Sequence, residues 1–356
     1  MKTYKNLYSK ICAWNNLERA YRKARRGKRK MSPAADFEFN WEKQLLRLQE
    51  ELISHTYQPG PYHSFYIHDP KRRLISAAPF PDRVVHHALC NVIEPIFERS
   101  FIHDSYANRA GKGTHRALDR CTAFARRYRY VLQCDVKQHF PAIDHAILRG
   151  ILAKPIACPE TMGLIDRILA SGTGVLSEEY EMVYFPGDDL LAAARPRGLP
   201  IGNLTSQFWS NCYMNPLDHF VKRELKCPAY QRYVDDFLLF ADDKPSLHRW
   251  RAEIIDFLAT LRLTIHEKRA QPQPASKGIP FLGFVVYPTH RRLKRSRKLA
   301  YQRRLNRWRA AYQAGELTQG DIAASIKGWL AHVSYGNCWA LAERLLSPFV
   351  FAGGSR

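Results

Sequence analysis

The sequence predicts an α+β fold, in which helices alternate with a small β-sheet and then form a helical C-terminal region. Three stretches have the β-branched and aromatic composition of short strands, and helical periodicity lies between them. Acidic residues accompany two of these strands, which are far apart in the sequence. From residue 291 onward the pattern is helical again and dense in arginine and lysine. The chain is therefore expected to hold an acidic centre in a sheet that helices cover.

The N-terminal region is predicted to be helical and basic. Apolar residues recur at helical spacing over 7–21, which predicts an amphipathic helix that runs into the segment YRKARRGKRK. A second helix is expected around 45–52. The basic segment is either a nucleic-acid contact or a solvated helix face.

Residues 58–80 are expected to be extended, because prolines punctuate them and apolar residues alternate about a turn at 69–72. This pattern predicts a hairpin with a basic tip. Asp82 is then expected to cap a helix whose apolar stripe, over 84–96, is typical of core packing.

The three strand predictions are residues 130–136, the pair 230–233 and 237–240, and residues 281–287. Helices are expected between them, near 144–152, 204–224 and 246–261.

Charge and composition restrict the class of partner. The 356 residues include 55 Lys and Arg against 33 Asp and Glu, a net charge of +22, so a polyanion is the expected partner. Eight cysteines occur without a C-x-x-C pair, which argues against a zinc site and fits a reducing cytosol. Neither a signal peptide nor an apolar run of about 18 residues is evident, so a soluble protein without membrane association is expected.

Three Asp-Asp pairs occur, and their surroundings distinguish them. The pairs at 188–189 and 242–243 lie in turn-forming segments, where solvated aspartates are common. Only Asp235 and Asp236 interrupt an apolar run, YQRYVDDFLLF, where a divalent cation could offset the desolvation and repulsion of the carboxylates. Asp135 lies at the end of another such strand, in YVLQCDVKQHF, although aspartate there is also typical of a helix N-cap.

Two acid-bearing strands provide the arrangement in which shared carboxylates hold a pair of Mg²⁺ ions about 4 Å apart. One ion would lower the pKa of a primer 3′-hydroxyl, and the other would hold a triphosphate and neutralise the pyrophosphate leaving group. The expected reaction is nucleotidyl transfer. A ribosomal-type or membrane-surface protein would share the positive charge but would not need this carboxylate centre.

Several motifs occur in the order found in reverse transcriptases, over residues 71–284. KRRLISAAPFPDRVV resembles the fingers motif of that family, SYANRAGKGTHRAL its second block, and CDVKQHFPAID its motif A. GLPIGNLTSQ resembles motif B, YVDD motif C, HEK motif D and FLGF the primer grip. The resemblance implies an RNA-directed DNA polymerase that uses dNTPs and binds template RNA and a cDNA or primer strand.

The resemblance also implies a right-hand polymerase fold with fingers, a palm of a small antiparallel sheet plus helices, and a helical thumb. We expect an N-terminal basic helical extension at 1–57 and fingers at 58–130. The palm is expected at 131–288, with a loop insertion at 171–197, and the thumb at 289–356.

Individual roles follow from the same resemblance. Asp135, Asp235 and Asp236 would be the catalytic acids, and the two Mg²⁺ ions would be held by Asp135, Asp235 and the carbonyl of Val136. Nucleotide contacts are expected from Lys71, Arg73, Phe140, Ile201, Gly202, Gln207 and Lys268. Primer-grip residues would be Phe281, Leu282 and Gly283. Basic nucleic-acid contacts are expected from Arg22, Arg25, Arg26, Arg291, Arg292, Lys294 and Arg295.

Two of these roles have ordinary alternatives. Phe140 lies five residues after Asp135, where the family places a ring under the sugar that excludes a 2′-hydroxyl, but it could simply pack in the core. Lys268 could equally be a surface lysine.

The motif B segment resembles that of one lineage, the reverse transcriptases of diversity-generating retroelements. Ile201 precedes the motif glycine, where most reverse transcriptases carry glutamine, and the segment GWLAHVSYGNCW agrees with the same lineage. This resemblance implies cytoplasmic synthesis, in a bacterial, archaeal or phage-encoded system, of cDNA that is mutated at template adenines. It also implies a basic, helical, oligomeric accessory protein as partner. The alternatives are a group II intron, retron or antiviral reverse transcriptase, and a non-catalytic RNA-binding scaffold.

Overall fold

A computed structural model describes residues 2–28, 32–68 and 72–349 and has the mixed α and β architecture that the sequence predicts. Its helices, in chain order, are α1 (Tyr8–Cys12), α2 (Trp14–Ala24), α3 (Ser32–Phe39), α4 (Trp41–Ile53), α5 (Phe80–Glu98), α6 (Thr114–Arg127), α7 (His139–Ala142), α8 (His145–Ala153), α9 (Pro159–Ser171), α10 (Leu204–His219), α11 (Lys244–Thr260), α12 (Arg295–Gln313), α13 (Gln319–Val333) and α14 (Trp339–Leu346). A π-helical turn, Phe220–Glu224, extends α10.

The strands are short, as predicted, and all of their pairings are antiparallel. They are β1 (His63–Ile67), β2 (Arg73–Ala77), β3 (Tyr130–Asp135), β4 (Ala229–Tyr233), β5 (Asp236–Ala241), β6 (Gln273–Pro274), β7 (Ile279–Phe281), β8 (Phe284–Val286) and β9 (Arg291–Leu293). They form a β1-β2 hairpin, a central sheet in the order β4-β5-β3-β6, and a small sheet in the order β7-β8-β9.

The central sheet is covered on both faces, because side chains alternate along its strands. Leu132 and Cys134 of β3 belong to a large core shared with the N-terminal helices, α5, α8, α10 and α11. Val131 of β3 and Leu238 of β5 belong to a second core, which α6, the small sheet and the C-terminal helices share. Gln133 and Asp135 lie on that second face by alternation, so the acidic end of β3 faces the small sheet.

Three predictions of secondary structure are wrong in detail. The helix expected over 7–21 is two helices, because Ala13 between α1 and α2 is extended at φ −59° and ψ 133°. The strand expected over 281–287 is a hairpin, since Leu282 and Gly283 have φ of 45° and 91° and form a tight turn between β7 and β8. The C-terminal region begins with β9, and its first helix starts only at Arg295.

Two aspartates are also placed differently from the prediction. Asp82 lies within the first turn of α5, where Pro79 is the N-cap residue, and its carboxylate accepts hydrogen bonds from the Tyr57 hydroxyl (2.7 Å) and the Gly60 amide (2.9 Å). Asp188 is not a solvated turn residue, since it accepts two hydrogen bonds from Arg262, at 2.6 and 2.7 Å. Both carboxylates therefore join separate chain segments.

The segment predicted as a loop insertion contains two short 3-10 turns, Ser177–Glu179 and Leu190–Ala194, and no helix or strand longer than these. It is attached at several points besides the pair formed by Asp188. Lys137 donates to Glu181 at 2.6 Å, and the Tyr66 hydroxyl of β1 donates to Glu179 at 3.0 Å. The insertion therefore connects the β1-β2 hairpin with the segment that follows β3.

The C-terminal helices pack through aromatic side chains. Tyr301 of α12 stacks on Trp329 of α13, with ring centroids 3.7 Å apart and planes inclined by 3°.

All eight cysteines are unpaired and buried. Among the described residues, no helix combines the length and apolar character needed to cross a bilayer.

Candidate active site

The three predicted catalytic acids come together at one end of the central sheet. Asp135 is the last residue of β3 and pairs in register with Asp236, the first residue of β5. Asp235 lies beside them in the two-residue turn that joins β4 to β5. Val234, the other turn residue, has φ of 58°, which is rare for a β-branched side chain and is often associated with functional turns.

Asp236 is the acid most affected by its surroundings. Burial, and then the charges of Asp135 and Asp235, raise its pKa to about 7, although the Gln133 side chain opposes the shift by donating to its carboxylate at 3.0 and 3.3 Å. The same Gln133 amide donates to the carbonyl of Pro280 in β7 at 3.1 Å. Gln133 thus fixes Asp236 relative to the small sheet.

Asp135 is open to solvent, with 46% of its side chain exposed. Its backbone carbonyl accepts from the amide of His266 at 3.0 Å, and the next amide, of Val136, donates to the carbonyl of Asp235 at 3.2 Å. The backbone at Asp135 is therefore held on both sides, while its carboxylate can still reach a ligand.

A buried ion pair supports the turn that carries Asp235. Arg232 and Asp218 are both fully buried, and the guanidinium donates to the carboxylate at 2.7 and 2.8 Å. A third nitrogen of Arg232 donates to the carbonyl of Val234 at 2.8 Å, and the Tyr230 hydroxyl donates to Asp218 at 2.7 Å. This network holds the strained residue of the turn from the inside of the protein.

The donor set suits a hard divalent cation, because carboxylate oxygens are the ligands that Mg²⁺ prefers. Within the described ranges, no three His, Cys, Asp or Glu side chains already converge as a metal site. The Cα atoms of paired residues in antiparallel sheets lie about 4.5–5.5 Å apart, so side-chain rotation alone could bring Asp135 and Asp236 to one ion. The neighbouring charges that raise the pKa of Asp236 are also those that a cation would neutralise.

The motif B segment is joined to the β1-β2 hairpin. The carbonyl of Ile201 accepts from the amide of Ser76 at 2.8 Å, and the Asn203 side chain donates to the Ser76 carbonyl at 2.8 Å. Gly202 has φ of 116°, and a Cβ there would lie 3.0 Å from the Ile75 side chain, so glycine is required on both grounds. Ile201 and Gly202 therefore adjoin the strand that carries Arg73, which is exposed. Lys71 lies outside the described residues.

Phe140 is partly buried at the edge of the large core, two residues into α7. Its carbonyl accepts from the amide of Leu199 at 2.9 Å, so it adjoins the segment that leads to Ile201. The position fits both the proposed sugar contact and ordinary packing.

We expect Phe140→Ala to raise ribonucleotide incorporation at least about tenfold relative to dNTPs, a change of about 1.4 kcal/mol, because removal of the ring leaves space for a 2′-hydroxyl. Single-nucleotide extension with each substrate would measure the ratio. Phe220→Ala is the matched control, since Phe220 stacks on Phe257 (centroids 4.3 Å apart) in another part of the core. A folded Phe140→Ala enzyme that rejects ribonucleotides as strongly as the unmodified enzyme would assign Phe140 to packing alone.

The predicted primer-grip residues form the β7-β8 turn. Phe281 is buried, whereas Leu282 and Gly283 make the turn itself. The Gly283 carbonyl accepts from the Lys294 amide at 3.0 Å, and the Lys294 charge lowers the pKa of Asp236. The turn and Lys294 therefore lie on the acidic side of the sheet.

The basic residues predicted to bind nucleic acid differ in their surroundings. The Arg291 side chain already has partners within the protein, since it donates hydrogen bonds to Asp119 (2.7 Å) and Thr122 (2.8 Å). Arg25 is likewise paired with Glu38 at 2.7 Å. Arg22 is ion-paired with Glu18 within α2 and remains 68% exposed. The other residues predicted to bind nucleic acid are exposed or half-buried: Arg26, Arg292, Lys294 and Arg295. Lys268, predicted to contact the nucleotide, is exposed.

Sequence reasoning missed three residues that organise this site: Gln133, Asn203 and Arg232. A signal existed for Gln133, which lies two residues before Asp135 and therefore on the same strand face. A comparable signal existed for Arg232, because it is a charged residue within the apolar strand YQRY. Asn203, by contrast, follows a glycine and immediately precedes a helix, a position at which asparagine is common and gives no signal of its own.

Comparison with known families gives one match that covers most of the chain. Residues 67–286 match the family model described as reverse transcriptase (RNA-dependent DNA polymerase). Protein YkfC of Escherichia coli (strain K12) is 26% identical over an alignment of 280 positions, which covers 67% of this chain and 70% of YkfC. The group II intron-encoded protein LtrA of Lactococcus lactis subsp. cremoris is 26% identical over 183 residues, which are 51% of this chain and 28% of LtrA.

Solved structures similar to this chain include two telomerases. One, from Candida albicans with a fragment of telomeric RNA, has a TM-score of 0.42 and 10% identity over 67% of this chain and 47% of that chain. The other, an apo telomerase from Candida Tropicalis truncated from its C-terminal domain, has a TM-score of 0.46 and 11% identity over 69% of this chain and 59% of that chain.

Proposed function

This chain belongs to the reverse transcriptase family, and on that premise we propose that it copies a template-repeat RNA into adenine-mutagenised cDNA for a diversity-generating retroelement. The observation that carries the polymerase assignment is the register pairing of Asp135 with Asp236, with Asp235 in the adjoining turn. Gln133 connects Asp236 with Pro280 of β7, the strand that leads into the β7-β8 turn, where a primer strand would be held.

Different residues of the chain would have different roles in nucleotidyl transfer. Asp135, Asp235 and the carbonyl of Val136 would hold two Mg²⁺ ions, with Asp236 as the third acid. When bound, these ions would supply charge neutralisation for the triphosphate and lower the pKa of the attacking hydroxyl. Gln133 would orient Asp236 through its amide.

Nucleotide selection would depend on the other residues around the acids. Arg73, Lys71 and Lys268 would contact the phosphates, since charge-assisted hydrogen bonds are the strongest available there. Gln207 and Gly202 would line the nucleotide site, and Phe140 would lie under the sugar.

The isoleucine at position 201 supports the assignment to the mutagenic lineage. A glutamine at this position could hydrogen-bond the incoming nucleotide, whereas isoleucine offers only packing. Loss of one such contact, about 1 kcal/mol net, would raise misincorporation several-fold without stopping catalysis. Its position beside Ser76 of the β1-β2 hairpin supports a role near the nascent base pair.

We expect Ile201→Gln to lower misincorporation opposite template adenine several-fold while changing errors opposite guanine less. The measurement is sequencing of cDNA made by both proteins on one defined RNA template. Ile75→Gln is not a suitable control, because the Ile75 side chain lies 3.0 Å from where a Cβ of Gly202 would be, next to the segment that is tested. Ile147→Gln, on α8, alters the edge of the core elsewhere. Equal error rates in the two proteins would mean that infidelity resides in other residues.

A second candidate is a reverse transcriptase of another lineage, such as a group II intron, retron or antiviral type. The similarity of this chain to LtrA, which is named as group II intron-encoded, favours the group II intron type among these. A faithful cDNA in the same sequencing experiment would support this alternative. A non-catalytic RNA-binding scaffold is the third candidate, and it predicts no Mg²⁺-dependent extension.

The proposed partners follow from the same lineage. Template RNA, the cDNA or primer strand and dNTPs are required by the reaction. A basic, helical, oligomeric accessory protein is the further partner proposed, and its omission from the sequencing experiment would show whether it is needed for adenine errors.

A further inference from the structure

A pocket of about 500 Å³ lies where the ends of α5 and α8 meet α10, and we call it the α5–α8–α10 pocket. Its lining comes from residues 96–100, residues 151–155, α10 with its π-helical turn, and the N-terminal segment. These three helices cover the face of the central sheet opposite to the one on which Gln133 and Asp135 lie. None of the residues proposed for catalysis or nucleotide binding lines the pocket, so the polymerase reaction does not explain it.

The rim of the pocket is basic, and no acidic side chain is among its described lining residues. Four exposed cationic side chains line it: Lys2, Arg99, Lys154 and Arg223. None of the four forms an ion pair within the described ranges of the chain. Glu98, the neighbour of Arg99, is already paired with Arg109 at 2.7 Å. The positive charge of the rim is therefore available to an acidic ligand.

Helix stability explains the charge of the rim only in part. Arg99 and Lys154 directly follow the last residues of α5 and α8, and a cation at the end of a helix interacts favourably with the helix dipole. The interior of the pocket has no such explanation, since apolar side chains line it between the cations: Ile96, Ile151 and Pro216. A pocket that is apolar inside and positive around its rim suits a ligand with an apolar centre and acidic flanks.

Asn215 of α10 gives an independent indication of a ligand. Its side chain lines the pocket, and its Nδ2 donates to the Ser100 hydroxyl at 3.3 Å. Its Oδ1 is buried and accepts no hydrogen bond from any described residue. Buried polar atoms without partners are uncommon in folded proteins, and a bound group that donates to Oδ1 would explain this one.

The helix ends around the pocket also favour a ligand that brings hydrogen-bond donors. The α5 and α8 helices both end here, at Glu98 and Ala153, and the last carbonyls of a helix lack partners within the helix. Phosphate groups bind instead at helix N-termini, where backbone amides are free and the helix dipole is positive. A peptide differs from a phosphate in having N–H donors along its backbone as well as carboxylates on its side chains.

We propose that the α5–α8–α10 pocket binds an acidic peptide segment of a partner protein. An apolar side chain of the peptide lies in the interior, a backbone amide donates to Asn215, and carboxylates pair with the cations of the rim. Those cations belong to four separate chain segments, so several carboxylates match them better than one phosphate does. This partner differs from the basic accessory protein proposed above, because two positive surfaces would repel each other. The proposal does not depend on the polymerase function.

The probe is a fluorescein-labelled synthetic peptide with a central pair of leucines between runs of glutamate. Its affinity is measured by fluorescence anisotropy on the full chain saturated with an RNA template annealed to a DNA primer, so that the nucleic-acid surfaces are occupied. Lys154→Gln and Arg223→Gln are compared with Arg249→Gln, which removes an exposed arginine from α11 as a matched control. We expect each pocket variant to bind the peptide about two- to fivefold more weakly, and the control to bind it like the unmodified protein.

Asn215→Leu tests the interior of the pocket without a change in charge. We expect about fivefold weaker binding of the peptide, because one hydrogen bond is lost. The Tm should stay the same or rise, since the substitution removes a buried oxygen without a partner. A second peptide, with serines in place of the two leucines, should bind the unmodified protein at least about tenfold more weakly.

Equal affinities of Lys154→Gln, Arg223→Gln and Arg249→Gln for the peptide would overturn the proposal, because the peptide would then bind the positive surface as a whole. Equal affinities of the leucine and serine peptides would also overturn it, since the interior of the pocket would be unused. Weaker binding of single-stranded RNA, but not of the peptide, by the pocket variants would assign the pocket to RNA instead. Failure of the polymerase proposal is separate: the unmodified protein would then bind the peptide but not extend the primer.

Discussion

Asp235→Asn is expected to lower primer extension by at least about a thousandfold, equivalent to about 4 kcal/mol in the activation barrier. The substitution keeps the shape of the side chain but removes the charge of a proposed metal ligand. Asp235 lies in the turn between β4 and β5, so the change leaves the strand register and the basic surfaces in place. RNA affinity should therefore stay the same or increase slightly.

The measurement is single-turnover extension with Mg²⁺, together with equilibrium RNA binding. Asp189→Asn is the matched control, because Asp189 also belongs to an Asp-Asp pair but is exposed in the loop insertion. Residual activity within about tenfold of the unmodified enzyme, a barrier change of only about 1.4 kcal/mol, would contradict the assignment of Asp235 as a metal ligand.

The overall α+β architecture and the right-hand polymerase fold were predictable, and both predictions are confirmed. The strands around Asp135 and Asp235 have a composition that specifies them locally, since apolar and aromatic residues precede and follow the acids. Antiparallel pairing then places Asp135 opposite Asp236, but the register itself could not be obtained from either segment alone.

The errors have local physical causes. The composition of FLGF predicts a continuous strand, because Phe281 and Phe284 are strand-forming. Leu282, however, adopts a positive φ that a non-glycine residue seldom has. Gly283 was the available signal for a turn. Asp82 resembles an N-cap, but Pro79 begins the helix earlier and leaves the carboxylate free to bond Tyr57.

What could not be predicted consists mainly of contacts between distant segments. The attachment of the loop insertion through Arg262 and Asp188 joins residues 74 positions apart. The bond from Gln133 to Pro280 joins residues 147 positions apart. Each depends on how helices and sheets pack, which composition and periodicity do not specify.

The buried pair Arg232–Asp218 is the most consequential of these contacts. We expect Arg232→Met to lower the free energy of unfolding by about 3–5 kcal/mol, because Asp218 would then remain buried without its cationic partner. Chemical denaturation would measure this loss. Arg149→Met, which breaks the exposed pair with Asp166, should change stability little and serves as the control.

The double variant Arg232→Met/Asp218→Leu separates the effect on stability from the effect on the position of the turn that carries Asp235. Removal of both charges should recover much of the lost stability, since apolar residues often replace buried ion pairs without penalty. Extension should nevertheless stay at least about tenfold below that of the unmodified enzyme, because the Val234 carbonyl has lost the donor that holds the turn beside Asp235. The loss should fall on kcat rather than on the KM for dNTPs or on RNA affinity. A double variant with both stability and kcat restored would show that Arg232 only stabilises the fold.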